Sequence, residues 1–116
     1  MKELILAVCM MAISISAYSQ VNVDGIDINE KADLEYVQIV GSAKLNGQVI
    51  IVIDYGQKRK FFKPSVIKNS EGKTQTFNSM IAALNFMSSN GWEYVNSYAV
   101  TVGNSNVYHY LLKRSE

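Results

Sequence analysis

Apolar and β-branched residues gather in two runs around Asn46-Gly47: Tyr36, Val37, Ile39 and Val40 before it, and the unbroken 49–53 stretch after it. Two such runs flanking Asn-Gly predict a β-hairpin with a type I′ turn, because both central residues must accept positive φ. Strands are expected over 34–45 and 48–55. A two-residue loop makes Leu45 face Gln48, and the ladder then pairs Ala43 with Ile50, Gly41 with Val52 and Ile39 with Asp54. Aliphatic residues fall on both faces in that register, and the 49–53 run reads as a strand covered on both sides.

Further along, 57–63 is expected to be a third strand ended by Pro64. A small hairpin over 66–68 and 73–75 follows, with Gly72 taking the positive φ of its turn. Between Thr76 and Asn90 the period becomes helical, with Phe77, Met80, Ile81, Leu84 and Met87 on one stripe. Thr76 or Asn78 is the expected N-cap, and Gly91 the left-handed residue just past the helix, which brings Trp92 back over Met87. The last segment predicts a second hairpin, with strands over 92–102 and 107–114 and a four-residue loop, Gly103-Asn104-Ser105-Asn106. Val100 then faces His109, Tyr98 faces Leu111 and Ala99 faces Tyr110. One face carries Trp92, Tyr94, Tyr98, Val100, His109 and Leu111; the other carries Val95, Ala99, Tyr108, Tyr110 and Leu112.

These elements predict an α+β domain: an antiparallel sheet of four or more strands in ββ(β)αββ order, with one helix packed on a face. A single helix covers one face only. The aromatic residues Trp92, Tyr94, Tyr98, Tyr108, His109 and Tyr110 are therefore the candidate binding surface, since Tyr and Trp supply large amphipathic contact areas.

The N-terminus stands apart from this pattern. Met1, Lys2 and Glu3 precede an apolar run over 4–13, and Ala17 and Ser19 sit at minus three and minus one from a cut before Gln20, the arrangement of a secretory signal peptide. A membrane anchor is the competing reading, but the run is shorter than the roughly 18–20 residues a span requires and no basic cluster follows. Export to the periplasm or medium, with no span after processing, is the expectation. The single cysteine, Cys9, lies inside the run. Lipidation there is a weaker alternative, because Val8 is bulky for the residue preceding a lipidated cysteine. A chain starting at Gln20 has no thiol, which removes disulfides, thiolate catalysis and cysteine metal ligands together.

Residues 20–33 hold Asp24, Asp27, Glu30 and Asp33 against Lys31 and read as an acidic, solvated leader to a domain over 34–116. Docking of Val21, Val23, Ile26 and Ile28 as an extra edge strand is the alternative. Over the whole chain, 48% hydrophobic and 18% charged residues with one proline describe a globular protein. A net charge of +1 argues against a general nucleic-acid binder.

Local chemistry is sparse. Ser70-Glu71-Gly72-Lys73-Thr74 ends like a phosphate-binding loop, but Ile67 stands where that loop requires glycine, so a polar turn is expected. His109 is the only histidine, which removes multi-histidine metal sites; a small hydrolase using it with a serine and a carboxylate remains a formal alternative. No cofactor is implied. Lys58, Arg59, Lys60 and Lys63, with Phe61 and Phe62 interleaved and Lys68 and Lys73 beyond, form a basic patch opposed by Glu71 alone. Such a patch suits an anionic glycan or lipid headgroup, or simply guards an edge strand against self-pairing.

The stretches Asp54-Tyr55-Gly56-Gln57-Lys58, Ala83-Leu84-Asn85-Phe86-Met87, Gly91-Trp92-Glu93-Tyr94-Val95 and Val107-Tyr108-His109-Tyr110-Leu111-Leu112-Lys113 resemble a group of small exported proteins of unknown function from Bacteroides-type bacteria. The helix, Gly-Trp-Glu, strand and terminal Leu-Lys-Arg pattern is also similar to a widespread small domain of unknown function. The resemblance spans about residues 34–114. It implies a compact α+β domain in the bacterial envelope or medium and transfers no active site. The functional expectation is a non-enzymatic module that binds protein, itself or an envelope partner.

Overall fold

The computed structural model describes residues 20–44, 46–58 and 63–115. The basic segment over 59–62 and the proposed signal peptide over 1–19 lie outside the described residues, as does most of the strand expected over 57–63.

In chain order the elements are β1 (Asn22–Val23), β2 (Ile26–Asp27), a 3-10 turn (Ile28–Glu30), β3 (Tyr36–Ala43), β4 (Val49–Asp54), β5 (Ile67–Lys68), β6 (Thr76–Phe77), α1 (Met80–Ser89), β7 (Trp92–Val102) and β8 (Ser105–Arg114). Five strands form one antiparallel sheet in the order β6-β4-β3-β8-β7, and β2-β1-β5 form a small second sheet. The α+β architecture with a helix on one face of an antiparallel sheet is therefore as the residue pattern predicts.

The β3–β4 connection differs from a two-residue type I′ turn. The Lys44 N–H donates to Gln48 O at 2.7 Å and the Gly47 N–H to Lys44 O at 3.0 Å, leaving three residues in the loop. Gly47 has φ +84, whereas Asn46 is not left-handed and instead accepts from the Gln48 N–H through Oδ1 at 3.1 Å. That is the three-residue connection closed by a left-handed glycine. The added residue slides the register by one, so Ile39 faces Ile53, Gly41 faces Ile51 and Ala43 faces Val49. A one-residue slip reassigns every side chain. Ile39, Ile51 and Ile53 now share one fully buried face, and Val40, Val52 and Ile50 share the half-buried other.

The first face holds the core. Val37, Ile39, Val49, Ile51, Ile53 and Leu112 pack in one cluster with Met80, Ala83 and Met87 of α1 and with Val21, Val23, Ile28 and Ile67 of the small sheet and its turn. Residues 20–33 are thus no solvated leader. Val21, Val23 and Ile28 are fully buried, and β1 pairs with β2 and β5, not with an edge of the large sheet. Acidic residues and core residues alternate here, because a two-residue Asp24-Gly25 turn, both at positive φ, folds the segment on itself.

Helix α1 begins four residues after Thr76. Thr76 and Phe77 pair with Ile50 and Val49 as β6, and Ser79 is the N-cap, its side chain accepting from the Ala82 N–H at 3.0 Å. The buried stripe is Met80, Ala83 and Met87; Ile81, expected on it, is 59% exposed. Gly91 ends the helix at φ +89 as anticipated.

Candidate functional site

The β7–β8 hairpin closes on Gly103-Asn104 with Val102 facing Ser105, so the loop has two residues, not four. Gly103 has φ +63, which suits the first central position of a type II′ turn. Tyr98 then faces His109, Ala99 faces Tyr108 and Val100 faces Val107. Between Tyr94 and Asn96 the register shifts, making Val95 a bulge.

That bulge divides the expected aromatic surface in two. Trp92 and Tyr94 join Ala99, Tyr108, Tyr110 and Leu112 on the helix side, and the Tyr94 and Tyr110 rings meet edge-on at 5.9 Å. Tyr98 and His109 lie on the other side, stacked at 4.6 Å with a 5° interplanar angle. Gln38 Nε2 donates to Tyr98 Oη at 3.2 Å and stands 3.5 Å from His109 Nδ1. Trp92 is 1% exposed and belongs to the core, contrary to its place in the candidate surface. Its Nε1 donates to Asn29 Oδ1 at 2.7 Å, and the Arg114 guanidinium lies over its ring at 4.8 Å.

Beyond Trp92 the arm is open. β7 is the outer strand of the sheet, and 93–102 are exposed throughout, with Tyr98 at 54% and Val102 at 63%. β3 pairs with β8 only as far as Tyr108, so the hairpin tip projects past its neighbour. The chain from 94 to 112 contains no Asp, Glu, Lys or Arg. Natural edge strands are usually guarded by lysine, proline or bulges, and β7 has the Val95 bulge alone. The exposed patch combines Tyr, Val and small polar residues, a composition suited to contact.

A second candidate is a groove of about 820 Å³ lined by Ile50, Tyr55, Gln57, Lys58, Lys63, Ser65, Val66, Lys68 and Thr74, with Asp24 and Gly25 at one wall. Of the predicted basic patch, Lys58 and Lys63 line it; Arg59, Lys60, Phe61 and Phe62 lie outside the described residues. Lys68, on β5, adds a third cation and donates to Thr74 Oγ1 at 3.4 Å. Asp24 Oδ2 accepts from both Tyr55 Oη at 2.8 Å and Ser65 Oγ at 2.7 Å, tying the β1–β2 turn to the groove wall. Burial and the Asp24 carboxylate push the Tyr55 phenol up to about 12, since both disfavour the phenolate.

The residues 70–74 form a polar turn. Asn69 Oδ1 accepts from the Glu71 and Lys73 N–H groups at 2.9 and 3.0 Å, and Gly72 N–H donates to Asn69 O, with Gly72 at φ +78. Those amides are therefore already engaged. Among the described residues His109 stacks on Tyr98 and stands beside Gln38, and it does not line the groove. No group of three or more metal-ligating side chains occurs among the described residues, and no helix among them is long and apolar enough to cross a membrane. No protein-family model, curated protein or solved structure matches the chain. The missed elements of the site are the Asn29–Trp92 bond, which no short-range signal announces, and the Val95 bulge.

Proposed function

We propose that the chain is an exported, non-enzymatic module that binds protein through the β7–β8 arm. The observation that carries this reading is an outer strand of eleven residues, exposed from Glu93 onward and free of charge from 94 to 112. An outer strand presents a row of N–H and C=O groups to any extended segment that aligns with it, and flanking side chains add selectivity. The helix, the small sheet and the Arg114 contacts hold the Trp92 end rigid while the tip stands clear. Photo-crosslinking tests it: a photoreactive residue at Val100 or Val102 should yield protein adducts in an envelope fraction, and one at Ile81 should not. Equal labelling at all three positions would contradict it.

The groove favours a second reading, an anionic glycan or lipid headgroup held by Lys58, Lys63 and Lys68. Retention on heparin-like and lipopolysaccharide matrices at low salt, lost in Lys63→Glu with Lys68→Glu, is the expected behaviour; no retention would rule it out.

A further inference from the structure

We infer that the occupant of the β7 edge is a second copy of β7, paired antiparallel about a two-fold axis through Ala99. This rests on the reading of the arm as a protein-binding edge and names its partner. The hairpin's turn sets which groups face outward: in a β-turn the first carbonyl accepts from the fourth residue's N–H, so Val102 directs its backbone toward Ser105. Alternate residues do likewise. Ser97, Ala99 and Thr101 therefore turn their N–H and C=O groups away from β8, and these groups have no hydrogen bond to another described element.

The strand matches its own reverse. A two-fold axis at Ala99 sets Ser97 opposite Thr101 and Tyr98 opposite Val100 of the second copy. The first pair places two hydroxyl side chains across the ladder and the second an aromatic ring beside a β-branched residue, both favourable cross-strand combinations. At the axis the side chains are two alanines, which leave the backbones free to close. About six backbone hydrogen bonds form in this register. With no Asp, Glu, Lys or Arg between 94 and 112, neither face of the joined arms carries like charges in opposition. The contact is isologous, and it closes, so it yields a dimer and not a fibre. Its short length places it among weak, concentration-dependent associations.

The test is light scattering on protein purified after expression of the full chain, over a range of concentration. The mass should rise from monomer to dimer, and Ala99→Lys, an exposed site where two ammonium groups would meet at the axis, should stay monomeric with an unchanged circular dichroism spectrum. In a Cys9→Ser background, Ala99→Cys should oxidise to a covalent dimer, because facing Cα atoms of a hydrogen-bonded antiparallel pair lie about 5.5 Å apart. Val102→Cys, far from the axis, should not. A chain monomeric at every concentration, a dimer that survives Ala99→Lys, or cross-linking at Val102 but not at Ala99 would overturn the inference. If the chain stays monomeric yet photoreactive groups at Val100 and Val102 still capture protein, self-pairing fails while the wider reading of the arm stands.

Discussion

Asn29 and Trp92, 63 positions apart in the chain, share a 2.7 Å hydrogen bond from the indole Nε1 to the amide Oδ1. The same Asn29 side chain donates through Nδ2 to Asn90 O at 2.8 Å, so one residue of the N-terminal segment holds both the end of α1 and the start of β7. Arg114 completes the attachment. Its guanidinium donates to the carbonyls of Leu34, Asn29 and Lys31 at 2.9, 3.1 and 2.9 Å while lying on the Trp92 ring.

Replacing Asn29 by alanine leaves the indole N–H without its acceptor in a largely dry setting. The expected loss is about 1–3 kcal/mol of unfolding free energy, the usual cost of stranding such a donor. Chemical denaturation of Asn29→Ala against wild type measures it.

Deleting 20–33 should have a larger effect. Val21, Val23 and Ile28 are each fully buried, and each such side chain contributes about 1.5–3 kcal/mol. Together they rival the whole stability of a small domain, about 5–15 kcal/mol. The shortened chain should lack a cooperative thermal transition; a normal one would show that the segment is dispensable.

Gly41 lies under α1. A Cβ there would run into Met80 Sδ and stand 3.3 Å from Ile51 Cδ1, so the Met80 thioether fills the space that a side chain at 41 would take. Gly41→Ala is expected to cost no more than about 1 kcal/mol, because the far end of the flexible Met80 side chain can turn aside. Met80→Ala alone should cost about 2–5 kcal/mol through the space it leaves. The double variant should cost less than their sum, since the new methyl fills part of that space. A double-mutant cycle in urea reads this coupling.

Tyr55 gives a pH signature. Its raised value means that the folded chain keeps the phenolic proton over a range in which the unfolded chain has lost it. The contribution is thus complete below the unfolded value of 10.0 and is lost as pH climbs toward about 12. Ultraviolet titration should show one late-ionising tyrosine, absent in Tyr55→Phe and shifted down in Asp24→Asn. Asparagine is chosen because residue 24 has φ +54, which it tolerates far better than alanine does.

Much of this fold was legible in the residues and some was not, for identifiable reasons. Alternating β-branched runs and the Gly91 stop are local signals, and both hairpins and the helix end stand where those signals put them. Register is another matter. Asn46-Gly47 suits a two-residue loop by composition, but the Asn46 side chain capturing the Gln48 amide favours three, and that single residue sorts Ile39, Ile51 and Ile53 onto one face. Helical periodicity ran back to Thr76 because Phe77 fits the stripe; pairing with Val49 and Ile50 claims it for the sheet instead. The burial of 21–28 was masked by interleaved acids, whose side chains act in turns and caps, as Asp27 Oδ1 does in accepting from Val21 and Asn29 N–H. For the site, the open arm was legible in its Tyr- and Val-rich pattern, whereas the Val95 bulge that sends Trp92 to the core had no local mark.

The most direct measurement of the central claim is amide hydrogen exchange, residue by residue, in dilute and concentrated protein. The Ser97, Ala99 and Thr101 amides should exchange rapidly when dilute, because they face outward from β7, and become protected on concentration, while the amides of Tyr98 and Val100 stay protected at both. Strong protection of Ser97, Ala99 and Thr101 in dilute monomer would contradict an open β7 edge, and exchange that stays fast at all concentrations would contradict its pairing with a second copy.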